Sequence, residues 1–154
     1  MRRLVFAAHA WSTLAMTGVI WIVQVVHYPL FALVGPDGFA AYAAAHQDAI
    51  ALVVLPLMAL EALGAALLVL GQRPANVRAG EAGLGLALLA GTWVSTWFVQ
   101  VPLHESLARG FDLAAIESLV LGNWLRTGLW SARSGLVALW IARGGAGDQR
   151  NPCW

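Results

Sequence analysis

The stretch LVFAAHAWSTLAMTGVIWIVQVVHYPLFALVGP, residues 4–36, contains no charged side chain and decides the fold class. A helix needs about 20 mostly apolar residues to cross a bilayer, and this stretch is longer than that. Three further apolar runs follow, over residues 49–70, 82–101 and 118–142. The chain is therefore predicted to be all-α, a transmembrane four-helix bundle that forms a single integral membrane domain over residues 1–154.

Prolines near the ends of the apolar runs predict the helix boundaries. We expect helices over about residues 4–28, 40–70, 81–101 and 113–142. Pro29 disfavours helical geometry at the residue before it, so the first helix is expected to end at Tyr28. For the same reason the third helix is expected to end at Val101, before Pro102. Pro56 lies inside the second helix, where it is expected to produce a kink.

The composition excludes several classes of protein. Hydrophobic residues make up 60% of the chain and charged residues 11%, whereas soluble proteins have roughly 45–50% and about 25%. A soluble globule of this size could not bury so much apolar surface. The formal net charge of +1 argues against a nucleic-acid-binding protein, whose affinity depends on clustered positive charge. The single cysteine, Cys153, excludes an internal disulfide and a multi-thiolate zinc site.

Arginine is concentrated on one side of the predicted membrane spans. The segments before the first helix, between the second and third, and after the fourth carry Arg2, Arg3, Arg73, Arg78, Arg143 and Arg150. The opposite loops are mainly acidic and contain only Arg109. The positive-inside rule then predicts cytoplasmic N and C termini, in a multi-pass protein of the bacterial inner membrane. The first apolar stretch exceeds the core of about 7–15 residues in a signal peptide, so we expect a retained helix.

The two halves of the chain resemble each other weakly. The segment QVVHYP (24–29) has a counterpart in QVPLH (100–104), and the dipeptide GF (38–39) has one in GF (110–111). Two interpretations remain open. One is a tandem repeat of two helical hairpins, related by a pseudo-two-fold axis along the membrane normal. The other is chance similarity between two apolar sequences.

Polar residues fall on one face of the predicted helices, at helical spacing. Such side chains usually face the interior of a membrane bundle, because contact with lipid is costly. Three histidines that are distant in sequence fall at the outer ends of the first three helices: His27, His46 and His104. Further polar residues lie about one turn deeper, or in the outer half of the fourth helix: Gln24, Gln100, Asn123 and Arg126. His9 lies about five turns before His27 and so belongs to the other leaflet.

This convergence of histidines allows three interpretations. Imidazole is a ligand of Cu, Zn and Fe, so His27, His46 and His104 are candidate ligands of a transition metal, or two of them of a haem. Interfacial histidines also form ordinary hydrogen bonds to loops, and no HExxH or ExxH spacing is present. The third interpretation is a role in proton transfer or ligand binding. The deeper polar residues would then orient the molecule that binds.

Two charged residues lie near the middle of predicted helices, Glu61 in the second and Arg133 in the fourth. Both lie about 15 residues below the outer ends of their helices, and an unpaired charge at that depth would cost several kcal/mol. We therefore predict a buried ion pair with a structural role. Arg126 has no acidic residue at its depth, which makes it a candidate for binding an anionic or quinone-like oxygen.

Several segments taken together resemble a known group of proteins. They are QVVHYP (24–29), His46, the second helix with Pro56 and Glu61, WFVQVPLH (97–104) and NWLRTGLWSAR (123–133). The chain resembles a widespread bacterial family of four-helix integral membrane proteins of unknown function, distantly similar to the anthrone-oxygenase-like membrane family. The resemblance covers nearly the whole chain and implies a four-helix membrane fold. For anthrone oxygenases it would imply oxidation of a polycyclic phenolic substrate, but no catalytic residue for that chemistry can be matched here.

Two functional hypotheses follow from the sequence. The first is an inner-membrane protein with a periplasm-facing, histidine-lined pocket for a metal (Cu, Zn or Fe), a haem or a small redox-active ligand. If it is an enzyme, it would be a membrane oxidoreductase or oxygenase, with catalytic residues unknown. The second is a non-enzymatic accessory subunit or small-molecule carrier whose polar stripes are structural. Both hypotheses involve the lipid bilayer and allow homo- or hetero-oligomers, and neither involves nucleic acid.

Overall fold

The computed structural model describes residues 1–148, which form four helices and contain no strand. The helices are α1 (Arg2–Leu33), α2 (Phe39–Gln72), α3 (Ala79–Leu107) and α4 (Leu113–Asp148). The predicted all-α fold is therefore confirmed, and α1, α2 and α3 are long and apolar enough to cross a membrane. Arg150 and Cys153 lie outside the described residues.

α4 is long but carries more polar side chains than the other helices. It contains 36 residues, with Arg126 and Arg133 inside it. Both arginines are buried against the other helices, with 7% and 2% of their surface exposed. Its other side is apolar and exposed, as at Leu121, Leu125 and Leu139. α4 therefore turns its charged face into the bundle and an apolar face outward.

The packing of the helices encloses the polar stripes. α1 packs closely against both α2 and α4, and α3 packs closely against α4. α2 and α3 are the most loosely packed neighbouring pair. Large apolar side chains are exposed on the outside of all four helices, among them Trp11, Leu52, Phe98 and Leu121. Polar groups inside and apolar groups outside are what a bundle surrounded by lipid requires.

α1 and α3 both continue past the prolines at which they were expected to end. In α1 a π-helical turn, Val23–His27, precedes Pro29. In α3 an equivalent turn, Thr96–Gln100, precedes Pro102. Proline lacks an N–H and its ring clashes with the carbonyl four residues earlier, and a widened turn at that place relieves the clash. The helix ends expected at residues 28 and 101 are therefore too early.

α2 runs without interruption from Phe39 to Leu67 and contains Pro56. Glycines with positive φ mark both of its ends. Gly38, with φ of 79°, precedes the first turn, and Gly71, with φ of 96°, lies next to the last residue. Only glycine adopts this backbone conformation without steric cost, so these two residues set the length of α2.

Candidate functional site

The three outer histidines lie together where α1, α2 and α3 meet. His27 Nε2 and His46 Nδ1 are 2.7 Å apart, which is a hydrogen-bond distance. His104 Nε2 lies 2.8 Å from the hydroxyl oxygen of Tyr28. The ring centroids of His46 and His104 are 5.7 Å apart. The structure thus brings the three histidines together and adds Tyr28 to the group.

Phe31 fills the space between these histidines. Its ring is fully buried, and the three imidazoles meet it at steep angles. Its centroid lies 5.4 Å from that of His27, 5.1 Å from that of His46 and 6.5 Å from that of His104. Edge-to-face contacts at these distances are favourable. Phe31 belongs to the part of α1 that follows Pro29, so the continuation of α1 past this proline is what orders the site.

The hydrogen-bonded nitrogens of the three histidines are not placed as ligands of one metal ion. Within residues 1–148 there is no group of three or more His, Cys, Asp or Glu side chains that could hold a metal. Two nitrogens bound to zinc at about 2.0–2.1 Å with tetrahedral geometry would lie about 3.3 Å apart. Those of His27 and His46 are instead hydrogen-bonded at 2.7 Å, and His104 Nε2 is bonded to Tyr28. We therefore interpret these histidines as hydrogen-bonding groups.

A buried chain of hydrogen bonds joins α1 to α4 below the histidines. The Gln24 amide nitrogen donates to the carbonyl oxygen of Val120 at 3.2 Å, and its oxygen accepts from Asn123 Nδ2 at 2.9 Å. Asn123 Oδ1 accepts from Arg126 Nη1 at 3.1 Å. The Thr127 hydroxyl donates to the same Gln24 oxygen at 3.4 Å. Gln24 and Asn123 therefore bond to protein groups and tie α1 to α4.

Gln100 is a buried glutamine of α3, yet it is not bonded as Gln24 is. Only 1% of its surface is exposed, and neither its amide nitrogen nor its oxygen has a partner among the described residues. It lies close to Gly122 of α4, where an added Cβ would come within 3.1 Å of its amide nitrogen. A buried polar group without a partner costs about 1–3 kcal/mol. We therefore expect Gln100 to bond to a molecule outside the chain, such as water or a ligand.

Arg126 is a buried cation without a counter-ion. No carboxylate lies within ion-pair distance of it in the part of the chain that the structure describes. Its guanidinium carbon lies 5.2 Å from the ring centroid of Trp130, which is a cation–π contact. Its Nη1 is bonded to Asn123, whereas its Nε has no partner within residues 1–148. Such a group is suited to binding an electron-rich oxygen from outside the chain.

A cavity of about 260 Å³ lies beside these groups. Its polar lining consists of Tyr28, Gln47, Thr96, Gln100, His104, Glu105 and Arg126. The remaining walls are mainly aliphatic and aromatic, and they include Trp93 and Trp97. Among the described residues, ten buried side-chain nitrogen and oxygen atoms have no hydrogen-bond partner. Five of these ten belong to residues that line the cavity, two to Gln100 and one each to Trp93, His104 and Arg126.

Glu61 and Arg133 form an ion pair that does not line this cavity. Arg133 Nε lies 3.0 Å from Glu61 Oε1, and the indole nitrogen of Trp130 donates to the other carboxylate oxygen at 3.0 Å. Arg133 Nη1 donates to the carbonyl oxygen of Gly85. These contacts form the predicted ion pair and join α2, α3 and α4.

His9 takes no part in the outer site. It is buried on α1 beside Gly64 of α2, where an added Cβ would lie 2.7 Å from the histidine Cβ. Its ring centroid lies 6.4 Å from that of Trp140. Gly64 therefore allows α1 and α2 to approach closely at this level.

Four polar residues of the cavity are not among the predicted site residues: Tyr28, Gln47, Thr96 and Glu105. Tyr28 pairs with His104, and the amide nitrogen of Gln47 donates to the backbone carbonyl of His104 at 3.0 Å. Tyr28 and Gln47 directly follow the predicted site residues His27 and His46, and this adjacency is the signal that could have identified them. Neighbouring residues of a helix point about 100° apart, so adjacency to a histidine does not place a side chain in the cavity. Only the packing of α3 beside α1 and α2 shows that Tyr28 and Gln47 both reach His104.

The cavity combines donors, acceptors and an uncompensated cation with aromatic and aliphatic walls. Pockets of this composition bind small organic molecules, with the polar groups setting their orientation. Comparison with models of protein families, with curated proteins and with solved structures gives no match for this chain.

Proposed function

We propose that this chain is a multi-pass protein of the bacterial inner membrane whose cavity binds a small aromatic molecule with ring oxygens, of the quinone or hydroquinone class. The observation that carries the proposal is the concentration of unpaired buried polar atoms around one cavity in the described part of the chain. A buried donor or acceptor without a partner is costly, and a ligand that bonds to several of them at once offsets that cost.

The donors and acceptors of the cavity match both redox forms of a quinone. The indole nitrogen of Trp93, the amide nitrogen of Gln100 and the Nε of Arg126 are donors suited to a quinone carbonyl. The amide oxygen of Gln100 is an acceptor suited to a hydroquinone hydroxyl. Trp93 and Trp97 supply aromatic faces along the wall. Because Gln100 both donates and accepts, it is the residue on which recognition depends most.

Tyr28 and His104 add a hydrogen-bonded pair to the polar lining of the cavity. Both line the cavity, and they are hydrogen-bonded to each other. A hydroxyl–imidazole pair of this kind can hold or release a proton next to the head group of the ligand. This supports a redox-active ligand over an inert one, because a quinone exchanges protons when its redox state changes.

The alternative hypothesis, that the polar stripes are structural, is supported for a different set of residues. Gln24, Asn123 and Thr127 bond to one another, and the Thr17 and Ser134 hydroxyls are 2.7 Å apart. All five residues belong to the contact between α1 and α4, and none of them lines the cavity. We therefore assign a structural role to this stripe and a binding role to the polar residues that line the cavity.

The proposal also includes the orientation of the chain in the membrane and the tandem repeat of two helical hairpins. The arginine distribution supports cytoplasmic termini, so the polar end of the cavity would face the periplasm. The π-helical turns Val23–His27 and Thr96–Gln100 occupy corresponding places before Pro29 and Pro102, which supports a tandem repeat of two hairpins in which Gln100 takes the place of His27. The repeat would then have conserved a backbone feature while the side chains of the two halves took different roles.

Binding of the ubiquinone head group without its tail, to the purified protein in detergent, tests the proposal. Gln100→Leu removes a donor and an acceptor, so we expect affinity to fall about ten-fold, at roughly 0.5–1.5 kcal/mol per hydrogen bond. Gln72→Leu is the matched control, because Gln72 is the last residue of α2 and does not line the cavity. Absence of saturable binding, or equal affinity in the Gln100→Leu protein, would refute the proposal.

Elemental analysis and an absorption spectrum of the same preparation address the metal and haem hypotheses. The hydrogen-bonded arrangement of His27 and His46 leads us to expect no stoichiometric transition metal and no haem absorption. A metal present at one equivalent, or a haem spectrum lost on mutation of His104, would overturn the quinone proposal in favour of a metal or haem site.

A further inference from the structure

The cavity reaches the outer surface of the bundle between α2 and α3. Leu55 of α2 and Trp97 of α3 both line it, yet 57% and 56% of their surface is exposed. Side chains that line a cavity and are also exposed form its rim. The exposed neighbours on these two helices, such as Leu52 and Phe98, are large and apolar. Leu55 and Trp97 therefore place this part of the rim on the surface suited to lipid contact, and the exposed Glu105 lines the cavity near the end of α3.

This opening has a cause in the backbone. α2 and α3 are the most loosely packed neighbouring helices, and the π-helical turn Thr96–Gln100 packs on α4 rather than closely on α2. The turn accommodates Pro102, and a widened turn displaces the helix on either side of it. Gln100 is buried inside the bundle and Trp97 is exposed on its surface, so the gap between α2 and α3 runs from Gln100 outward to Trp97.

The size of the cavity limits what it can enclose. Its volume of about 260 Å³ is below the roughly 300–1,000 Å³ of pockets that surround a drug-sized ligand. A single substituted ring fits this space, whereas a long hydrocarbon tail would have to lie outside it. The gap beside Leu55 leads such a tail directly to the lipid-facing surface, where apolar chains are soluble.

We propose that α2 and α3 form a lateral portal through which an amphiphilic ligand enters from the bilayer. Its oxygen-bearing head would lie at Gln100 and Arg126, and its hydrocarbon tail would pass between Leu55 and Trp97 into the lipid. The inference rests on the proposed function and specifies the ligand class further. The ligand is a membrane-dissolved quinone with an apolar tail, as opposed to a water-soluble aromatic that enters from the periplasm.

Narrowing the portal tests this inference. Leu55→Trp places a larger side chain at the rim, and the protein is studied in lipid nanodiscs with decylubiquinone and with the tail-less head group. We expect the affinity for decylubiquinone to fall about ten-fold and that for the head group to change less than about two-fold. Leu63→Trp is the matched control, because Leu63 is on the same helix, is 58% exposed and does not line the cavity.

The outcomes separate the portal from the binding site. An equal loss for both probes, or no loss for either, would overturn the portal while leaving the binding site intact. If the head group fails to bind the unmodified protein, the proposed function fails and the portal fails with it. If Leu55→Trp does not fold, Leu55→Ala replaces it. The wider gap should then speed the association of decylubiquinone alone, and unchanged association rates would overturn the portal.

Discussion

The buried ion pair provides a direct test of how this bundle is held together. Glu61 is completely buried, and its two oxygens accept hydrogen bonds of 3.0 Å from Arg133 and Trp130. Glu61→Gln retains the shape of the side chain and removes its charge, so Arg133 is left buried without a counter-ion. Breaking a buried pair in this way costs about 3–5 kcal/mol of the free energy of unfolding.

The expected change is large enough to measure by thermal unfolding in detergent. One kcal/mol corresponds to a shift in Tm of roughly 2–4 °C for a chain of this size, so Glu61→Gln should lower Tm by about 6–20 °C. Glu81→Gln is the matched control. The pair between Glu81 and Arg143, at 2.7 Å, is partly exposed at the end of the bundle. Water already screens that pair, so its loss should change Tm far less.

A double variant separates the loss of the pair from the cost of an unpaired charge. Replacing both partners, as Glu61→Leu with Arg133→Met, removes the two charges together, and buried pairs replaced by apolar residues often lose little stability. We expect this protein to melt well above Glu61→Gln. A stabilising buried pair is refuted if Glu61→Gln melts at the wild-type temperature, or if the double variant is no more stable than the single one.

Two further predictions concern packing and orientation. Gly64→Ala places a Cβ 2.7 Å from the Cβ of His9 and should cost about 1–3 kcal/mol in thermal unfolding. Gly83→Ala, where no atom lies within 4 Å, should leave Tm unchanged or raised, and similar losses in both would contradict this account. Cytoplasmic termini predict that Cys153, the single cysteine, reacts with a membrane-impermeant maleimide only after spheroplasts are permeabilised. Labelling of intact spheroplasts would reverse the orientation.

The helices and the meeting of the histidines were predictable because both depend on patterns that are visible along the chain. The length of an apolar run predicts a helix, and the alternating direction of successive helices predicts which ends lie together. His27, His46 and His104 each stand at such an end, so their convergence required no knowledge of packing. Tyr28 and Gln47 were missed because their contacts depend on how α3 packs beside α1 and α2.

The course of α1 and α3 past their prolines was not predictable from local preference. The preference of a residue before proline for extended geometry is a property of the isolated chain. Within a bundle, ending α1 at residue 28 would leave Phe31 outside the hydrophobic core, where it is now fully buried. The packing of that ring favours continuing the helix, and the turn Val23–His27 widens to allow it.

The unequal roles of Gln24 and Gln100 also lie beyond the sequence, because both are buried glutamines within π-helical turns. α4 distinguishes them. It presents Asn123 and the carbonyl of Val120 to Gln24, whereas toward Gln100 it presents Gly122, which has no side chain to bond. One glutamine is therefore bonded within the protein and the other remains available to a ligand.

A single chain of hydrogen bonds links the residues to which we assign a structural role with a residue of the cavity. Gln24 holds Asn123, and Asn123 holds one nitrogen of the Arg126 guanidinium at 3.1 Å. A guanidinium is planar, so fixing one nitrogen and stacking the group on Trp130 limits the directions in which its Nε can point. A bond that locks α1 to α4 therefore also orients Arg126, which lines the cavity. The contact between α1 and α4 would thereby orient Arg126 for the ligand that we propose to enter between α2 and α3.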